Sequence, residues 1–390
     1  MKIARDADCT SCMACIDSCH KGALSFSINE EGFYHICFDE SLCVNCGLCT
    51  KVCPVLHKPQ KGSSYCSSMA VWDNNDYYRA QAASGGAFSA VARVVLEKGG
   101  VVYGAAIDKF RVKHTRIDKV VDLCKLQGSK YQQSETNGIY RKVKKDLLSG
   151  KIVLFSGMSC QIAGLFSYLG EKRYVNLYTI DTICGGTSSM LPILSMEKSG
   201  LYSGIFSFRD KSHGWKPRGF KYSLKMILKN GTIDDLGSDN IVIKSFCSPF
   251  LKRSSCMNCR NNGFRRQSDC TICDFWGIEA FEEQHAKGIS GMIINNPRIM
   301  PFMEESSLIS EPVPLEMILK YNPSYYWNRH KFYLSSRQRK LMIKYLKNNE
   351  IGELYRLLND PYDFGMMVKI KINNLIKQVY YKIRMKYCKL

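Results

Sequence analysis

The chain repeats one cysteine pattern near its start, first as Cys9-Thr-Ser-Cys12-Met-Ala-Cys15-Ile-Asp-Ser-Cys19 and then as Cys43-Val-Asn-Cys46-Gly-Leu-Cys49-Thr-Lys-Val-Cys53. Each copy has the spacing C-x2-C-x2-C-x3-C, which is typical of ferredoxins that hold two 4Fe–4S clusters. In such a pair, the fourth cysteine of each run ligates the cluster of the other run. The duplication therefore predicts a ferredoxin-like dicluster domain over residues 1–57.

This crossed pairing assigns four thiolate ligands to each cluster. The first cluster takes Cys9, Cys12, Cys15 and Cys53. The second takes Cys43, Cys46, Cys49 and Cys19. Zinc ligands usually come as two separated pairs, unlike this run. A disulfide framework would need an oxidising compartment, and the short polar start at residues 1–8 does not resemble a secretion signal. We therefore expect a cytoplasmic electron-transfer protein.

The composition restricts the choice of partners. The chain has 390 residues, enough for two or three domains, and 55 basic against 35 acidic residues give it a formal net charge of +20. This excess favours acidic proteins, anionic lipid headgroups or phosphorylated ligands. We find no recognition motif for a specific nucleic acid. No apolar run reaches about 18 residues, so we expect no membrane-spanning segment.

Strands and helices alternate after a predicted linker at residues 58–64. We predict helices over residues 87–96, 139–148 and 161–169, and strands over residues 101–107, 152–155 and 174–180. This alternation favours an α/β fold (α+β overall) with a mixed sheet in a domain spanning residues 65–310. Beyond Tyr202 we expect antiparallel pairing. From about Leu315 the pattern becomes helical, which defines a third region at residues 311–390.

The end of the chain is strongly basic. Residues 364–390 hold seven basic residues and no acidic one. One face of a predicted helix collects the apolar residues Val368, Ile372, Leu375, Val379 and Ile383. Two interpretations stay open. The helix docks on its own domain or on a second subunit, which is the commoner role, or it binds an anionic membrane surface peripherally, at the inner membrane face.

Four further cysteines stand in chemically informative places. Cys160 and Cys184 each follow a predicted strand, at the carboxyl ends where open α/β sheets bind their ligands. Cys256 and Cys259 form a C-x2-C pair. Spacing alone does not distinguish such residues from ordinary buried cysteines.

Residues 66–300 contain a series of informative strings: Ala83-Ser-Gly-Gly-Ala-Phe-Ser89, Leu126-Gln-Gly-Ser-Lys-Tyr131, Ser159-Cys-Gln-Ile-Ala-Gly-Leu165, Asp181-Thr-Ile-Cys184, Cys256-Met-Asn-Cys259, Ser268-Asp269 and Asp274-Phe-Trp-Gly277. Together they resemble the beta-subunit family of coenzyme F420 hydrogenases and dehydrogenases, and they occur in the order of that family. A dicluster unit in front is a usual companion of this family. Bacterial members similar to this chain are encoded among polysaccharide-biosynthesis genes.

The resemblance implies a flavin site, usually for FAD, beside a third 4Fe–4S cluster. The implied cluster ligands are Cys160, Cys184, Cys256 and Cys259. The implied flavin contacts are Ser84, Gly85, Gly86, Gly128, Ser129 and Lys130. A Ser-Gly-Gly turn at a helix start exposes backbone N–H groups to a phosphate, which agrees with this assignment.

The chain departs from the family pattern at three positions. Gly185 stands where histidine is usual, Ser159 where proline is usual, and Cys273 where glycine is usual. The missing histidine would remove a proton donor or a group that orients one. Cys270 and Cys273 also place a second C-x2-C pair behind the first. A tetrahedral zinc site at these two pairs is therefore an open alternative to the third cluster.

Together these patterns predict an iron–sulfur flavoprotein oxidoreductase that couples one-electron transfer through clusters to two-electron flavin chemistry. The expected partner is ferredoxin or another redox protein. The substrate is unidentified, with the deazaflavin coenzyme as one candidate and polysaccharide biosynthesis as one context, and a homo-oligomer is compatible with the sequence. Two alternatives stay open: an electron-transfer subunit without its own substrate, and a non-catalytic scaffold. The catalytic acid is unassigned, and its candidates are Asp181, Asp274 and His213.

Overall fold

The structure is a computed structural model that describes residues 4–57, 62, 65–170, 174–209, 211–212, 214–215, 223–277, 281–284, 286–326, 333–362 and 364–388. Most of the predicted linker at residues 58–64, and His213, lie outside these ranges. The strands are β1 (Leu24–Ile28), β2 (Tyr34–Phe38), β3 (Ser67–Asp73), β4 (Val101–Asp108), β5 (Arg111–Ile117), β6 (Val153–Met158), β7 (Leu177–Thr182), β8 (Tyr202–Ser207), β9 (Lys225–Leu228), β10 (Ile233–Asp235), β11 (Cys270–Asp274), β12 (Ser290–Ile294) and β13 (Leu308–Pro312). The helices are α1 (Ala14–Ser18), α2 (Leu48–Lys51), α3 (Asp76–Gln81), α4 (Ala87–Glu97), α5 (Ile139–Leu148), α6 (Ser159–Leu169), α7 (Leu191–Lys198), α8 (Ile241–Cys247), α9 (Met300–Glu304), α10 (Leu315–Leu319), α11 (Arg337–Lys347), α12 (Ile351–Asn359) and α13 (Phe364–Cys388).

The two cysteine runs fold alike. In the first run Ser11 and Met13 have left-handed backbones, with φ of 49° and 62°. The equivalent residues of the second run, Asn45 and Gly47, have φ of 53° and 73°. Each run then enters a short helix, α1 or α2, directly after the left-handed residue. The repeated spacing therefore produces a repeated backbone path, joined by the antiparallel hairpin of β1 and β2.

An eight-stranded mixed sheet forms the centre of the molecule, in the order β13-β3-β12-β11-β7-β6-β4-β5. Its middle strands β4, β6, β7 and β11 are parallel. The flanking strands β5, β12, β3 and β13 pair antiparallel. The carboxyl ends of β6, β7 and β11 therefore lie side by side at one edge of the sheet.

Helices cover both faces of this sheet. Val102 and Leu154 point into a core under α4, whereas their neighbours Val101 and Val153 point to the opposite core under α5 and α6. Such alternation is what a strand buried on both faces requires. The predicted α/β core is thus confirmed, with helix and strand bounds within a few residues of those expected.

Two further expectations for the later part of the chain agree with the structure, although β11 pairs parallel with β7. Beyond Tyr202, strands β8, β9 and β10 form a separate antiparallel sheet. From Leu315 the described residues form helices α10 to α13, with one short 3-10 turn between them.

The dicluster unit packs directly on the α/β domain. The buried Asp17 carboxylate accepts hydrogen bonds from the N–H groups of Gly138 and Tyr140 at 2.6 and 2.9 Å, so it caps the start of α5. Thr136 Oγ1 donates to the carbonyl of Cys12 at 2.8 Å. A helix of one domain is thus capped by a side chain of the other.

Candidate functional site

The cysteines of the first predicted cluster are near neighbours. Burial, together with the charges of Cys9 and Cys53, raises the pKa of the Cys12 thiol to about 12. The pKa of Cys15 is raised by burial and then by Cys12, Cys9 and Cys53. These mutual effects on pKa show that the four sulfurs lie close together, as the ligands of one cluster must.

The cysteines of the second predicted cluster line one small cavity at the other end of the dicluster unit. They are Cys19, Cys43, Cys46 and Cys49. In both runs a backbone N–H also points at a ligand sulfur. Ser11 donates to Cys9 Sγ at 3.3 Å and Asn45 donates to Cys43 Sγ at 3.4 Å. Donors of this kind tune the reduction potential of a cluster.

The four cysteines implied for the third cluster also come together. Burial raises the pKa of Cys160 well above its ordinary value, and the nearby charges of Cys259, Cys256 and Cys184 raise it further. All four line the same large cavity. Cys160 is the second residue of α6, which directly follows β6, and Cys184 lies two residues beyond β7, as the positions at the strand ends predicted.

The loop after Cys184 lies close to the sulfur atoms of Cys184 and Cys256. Gly186 N–H donates to Cys184 Sγ at 3.3 Å, and Thr187 N–H donates to Cys256 Sγ at 3.4 Å. Gly186 has a φ of 103°, and a Cβ there would lie 3.1 Å from Cys256 Cβ. Glycine is therefore required by both the backbone conformation and the close packing.

Cys12 and Cys160 bring the dicluster unit next to the large cavity. The charge of Cys12 is among those that raise the pKa of Cys160. Between them, α6 approaches the dicluster unit so closely that a Cβ on Gly164 would lie 2.9 Å from Cys12 Sγ. The first predicted cluster is thus the one nearer to the third set of cysteines.

Arg253 links the same two sets through hydrogen bonds. Its guanidinium donates to the carbonyls of Cys9 and Tyr34 and to Ser11 Oγ, at 2.8, 2.8 and 2.7 Å. Its own backbone N–H donates to Thr187 O at 2.9 Å. The side chain is buried, so it fixes the first cysteine loop against the loop that carries Cys256.

The large cavity has a volume of about 520 Å³, which is within the range of cofactor sites. Five of the six implied flavin contacts line it: Ser84, Gly86, Gly128, Ser129 and Lys130. Gly85 instead packs between β3 and β12, where a Cβ would lie 2.4 Å from Val71 O. Its N–H donates to Ser290 Oγ at 2.9 Å.

Several buried polar atoms that line this cavity have no hydrogen-bond partner among the described residues. They are Gln127 Oε1, Gln132 Oε1 and Nε2, His114 Nδ1 and Ser255 Oγ. An unpartnered buried polar atom costs free energy of about 1–3 kcal/mol, so we expect a polar ligand or an ordered water to satisfy these groups. The sequence analysis did not find them, because no spacing rule marks an amide that tertiary packing leaves without a partner.

Among the cationic side chains of the cavity wall, Lys130 has the pKa that is shifted most. Its ammonium donates to the carbonyls of Leu126 and Gln127 at 2.9 and 2.6 Å. Burial lowers the pKa of Lys130 to about 7. A bound anion would favour the charged form and offset that burial.

Asp181, one candidate acid, is held by structural contacts. Its carboxylate accepts hydrogen bonds from Ser159 Oγ and Thr271 Oγ1, each at 2.6 Å. It also pairs with Arg266 at 3.2 Å, and both side chains are almost fully buried. Ser159, which stands in place of a usual proline, thereby anchors the start of α6 beside Cys160.

Asp274, the second candidate, lines the cavity but pairs with Arg209 at 2.9 Å. Arg209 also lines the cavity. The third candidate, His213, lies outside the described residues. The Asp274 carboxylate accepts two hydrogen bonds from the Arg209 guanidinium, at 2.9 and 3.3 Å.

The cysteines of the zinc alternative separate in the structure. Cys270 is buried in the core under α4, whereas Cys273 lines the cavity and packs on the opposite face of β11. Residues three apart on a strand point to opposite faces. Within the described ranges, no three His, Cys, Asp or Glu side chains are placed to hold a single metal ion.

Gly185, which stands where histidine is usual, has room for a side chain, since a Cβ there would meet Ser324 Oγ at 3.6 Å.

The paired cysteine runs and the mixed α/β sheet on which they pack are typical of iron–sulfur redox proteins. Residues 8–56 match the family model of the 4Fe-4S dicluster domain. Residues 150–309 match the model for the C terminus of the coenzyme F420 hydrogenase/dehydrogenase beta subunit. The chain thus joins a dicluster domain to a domain of this beta-subunit family, as the resemblance predicted, and both domains indicate electron transfer. The second match includes Cys160, Cys184, Cys256 and Cys259 but not residues 84–130.

Thirteen chains of solved structures also match. One belongs to the F420-reducing NiFe hydrogenase complex from Methanosarcina barkeri. It is 13% identical, with a TM-score of 0.47, and the match covers 70% of this chain and 92% of that chain. No curated protein matches the chain.

Proposed function

We propose that the chain is an iron–sulfur flavoprotein oxidoreductase, with three 4Fe–4S clusters and one FAD site, that acts on an unidentified substrate. A bound flavin exchanges two electrons as hydride, whereas each cluster passes one electron at a time. The observation that supports this proposal is the large cavity, because the third set of cysteines lines the same space as Gln127 and Gln132, whose side chains carry unpartnered amide atoms.

The residues of the cavity wall fit an FAD molecule. α4 has 11 residues and begins at Ala87, its N-cap Gly86 provides no side-chain cap, and both residues line the cavity. A helix start of this kind favours a phosphate. Gly128, Ser129 and Lys130 would add polar and cationic contacts to the same group. The amides of Gln127 and Gln132 would hydrogen-bond its ring or ribose.

The contacts also support an order for the clusters. The cluster of Cys9, Cys12, Cys15 and Cys53 would lie between the other two, because Cys12 lies beside Cys160. The cluster of Cys19, Cys43, Cys46 and Cys49 would lie outermost, since Cys46 is exposed. Exposed apolar side chains surround this outer site, at Phe38, Leu42, Val44 and Leu48. Such a patch suits a transient redox partner such as ferredoxin.

Cys160→Ser tests the proposal through flavin reduction. Under anaerobic conditions, reduced ferredoxin should bleach the flavin absorbance of the wild-type chain. The variant should keep its flavin but be reduced at least about tenfold more slowly, because one ligand of the inner cluster is lost. Cys124→Ser, at an exposed thiol, is the matched control and should behave as wild type.

An unchanged rate in Cys160→Ser would contradict the proposal. A wild-type chain whose flavin is reduced, but which passes electrons to no soluble acceptor, would favour the electron-transfer subunit instead. A chain without flavin would favour the scaffold.

A further inference from the structure

Helix α13 carries an apolar stripe that nothing in the described part of the chain covers. Val368, Ile372, Leu375, Val379 and Ile383 have exposed fractions of 40, 55, 63, 51 and 52%. These are the residues whose spacing indicated an amphipathic helix. The helix does dock on its own domain, as one interpretation expected, but through its other side, so that this face is left exposed.

The opposite side of α13 holds the helix on the protein. Met366 and Met385, near its two ends, are buried against separate hydrophobic clusters. Tyr381 packs against Tyr326 with ring centroids 5.0 Å apart. The helix has 25 residues and is thus roughly 37 Å long. Contacts near both ends keep the stripe facing outward.

Lysines flank the stripe on both sides. Successive helical residues turn by about 100°, which places Lys369 on one side and Lys371 and Lys382 on the other. All three lysines are exposed. Residues 364–390 contain no acidic residue to neutralise them. A lysine beside an apolar surface lays its alkyl stem along that surface while its ammonium reaches water or a phosphate.

We propose that α13 lies flat on an anionic lipid surface, with the apolar stripe among the acyl chains and the flanking lysines at the headgroup phosphates. A second copy of the chain fits the stripe less well. Pairing two stripes would bring two acid-free basic flanks together, and like charges repel. The formal net charge of +20 adds attraction to an anionic surface at longer range.

No described helix has the length and apolarity needed to cross a membrane.

Cosedimentation of the full chain with lipid vesicles tests this inference. Binding is expected with vesicles of phosphatidylcholine and phosphatidylglycerol, and it should weaken with added salt. Binding to phosphatidylcholine alone should be much weaker. Replacing Lys369, Lys371 or Lys382 by serine should lower partitioning about fivefold each. Leu375→Glu with Val379→Glu should lower it by at least about tenfold, because both side chains leave the acyl region.

The matched control is Val121→Glu with Val175→Glu, at apolar residues that are 78 and 86% exposed elsewhere on the surface. This pair should bind vesicles as wild type does. Equal binding to neutral vesicles, equal loss in the control pair, or no vesicle binding would overturn the inference. So would a wild-type dimer that Leu375→Glu with Val379→Glu makes monomeric while neither form binds vesicles. Unchanged circular dichroism and iron content confirm that each variant is folded.

Discussion

Arg266→Met is expected to destabilise the protein by about 3–5 kcal/mol, because it leaves a buried carboxylate without its counter-ion. Arg266 and Asp181 are 0 and 1% exposed and lie 3.2 Å apart. Arg266 also donates to the carbonyls of Gly263 and Tyr325, at 3.2 and 3.3 Å. Methionine fills much of the volume but provides none of these donors. Denaturant unfolding followed by tryptophan fluorescence measures the loss.

Lys287→Met is the control for this variant. Lys287 pairs with Asp76 at 2.8 Å, but the two side chains are 55 and 69% exposed. Water solvates both charges, so the loss should be much smaller than that of Arg266→Met. Equal losses in the two variants would mean that the Arg266 pair contributes no more than a surface pair.

Arg266→Met should also loosen the start of α6, since Asp181 holds Ser159 beside Cys160.

Gly164→Ala is expected to destabilise the protein by about 1–3 kcal/mol, although alanine favours helices. A Cβ at this position would lie 2.9 Å from Cys12 Cβ, Cys12 Sγ and Tyr140 Oη. Cys12 belongs to the dicluster unit, and α6 would have to move away from it. The same substitution should slow flavin reduction by ferredoxin, because the first and third clusters would lie farther apart. Unfolding and reduction kinetics measure the two effects.

Gly352→Ala is the matched control for this substitution. Gly352 lies in helix α12, and a Cβ there would meet no heavy atom within 4 Å. Alanine should therefore stabilise the protein by about 0.5–1 kcal/mol through its helix propensity. The two glycine variants thus have opposite expected signs. Stabilisation by Gly164→Ala would contradict the prediction, because it would show that the space between α6 and Cys12 accommodates a methyl group.

Local patterns in the sequence predicted the parts of this fold that depend on spacing. The cysteine runs predicted a repeated structure, and Ser11 and Asn45 take equivalent left-handed conformations. Apolar periodicity predicted α4 and α5, since burial against a sheet imposes that period. Long-range pairing is not encoded in this way. The antiparallel strands β3 and β13 join residues more than 200 positions apart, and no local signal indicates that register.

In the candidate site, too, local spacing predicted some features, whereas others depend on long-range packing. The positions of Cys160 and Cys184 at strand ends followed from predicted strands. Gln127 and Gln132 could not be found, because their importance comes from buried atoms that packing leaves without partners. The stripe of α13 was visible as a period, but which of its faces is exposed depends on tertiary contacts at Met366 and Met385.

Anaerobic purification with quantitation of iron, zinc and flavin tests the proposed third cluster and flavin most directly. Three four-iron clusters and one FAD predict about twelve irons and one flavin per chain. Cys160→Ser should lower the iron content to about eight, since one cluster loses a ligand. About eight irons with one zinc in the wild-type chain, or about eight irons without flavin, would contradict the assignment of Cys160, Cys184, Cys256 and Cys259.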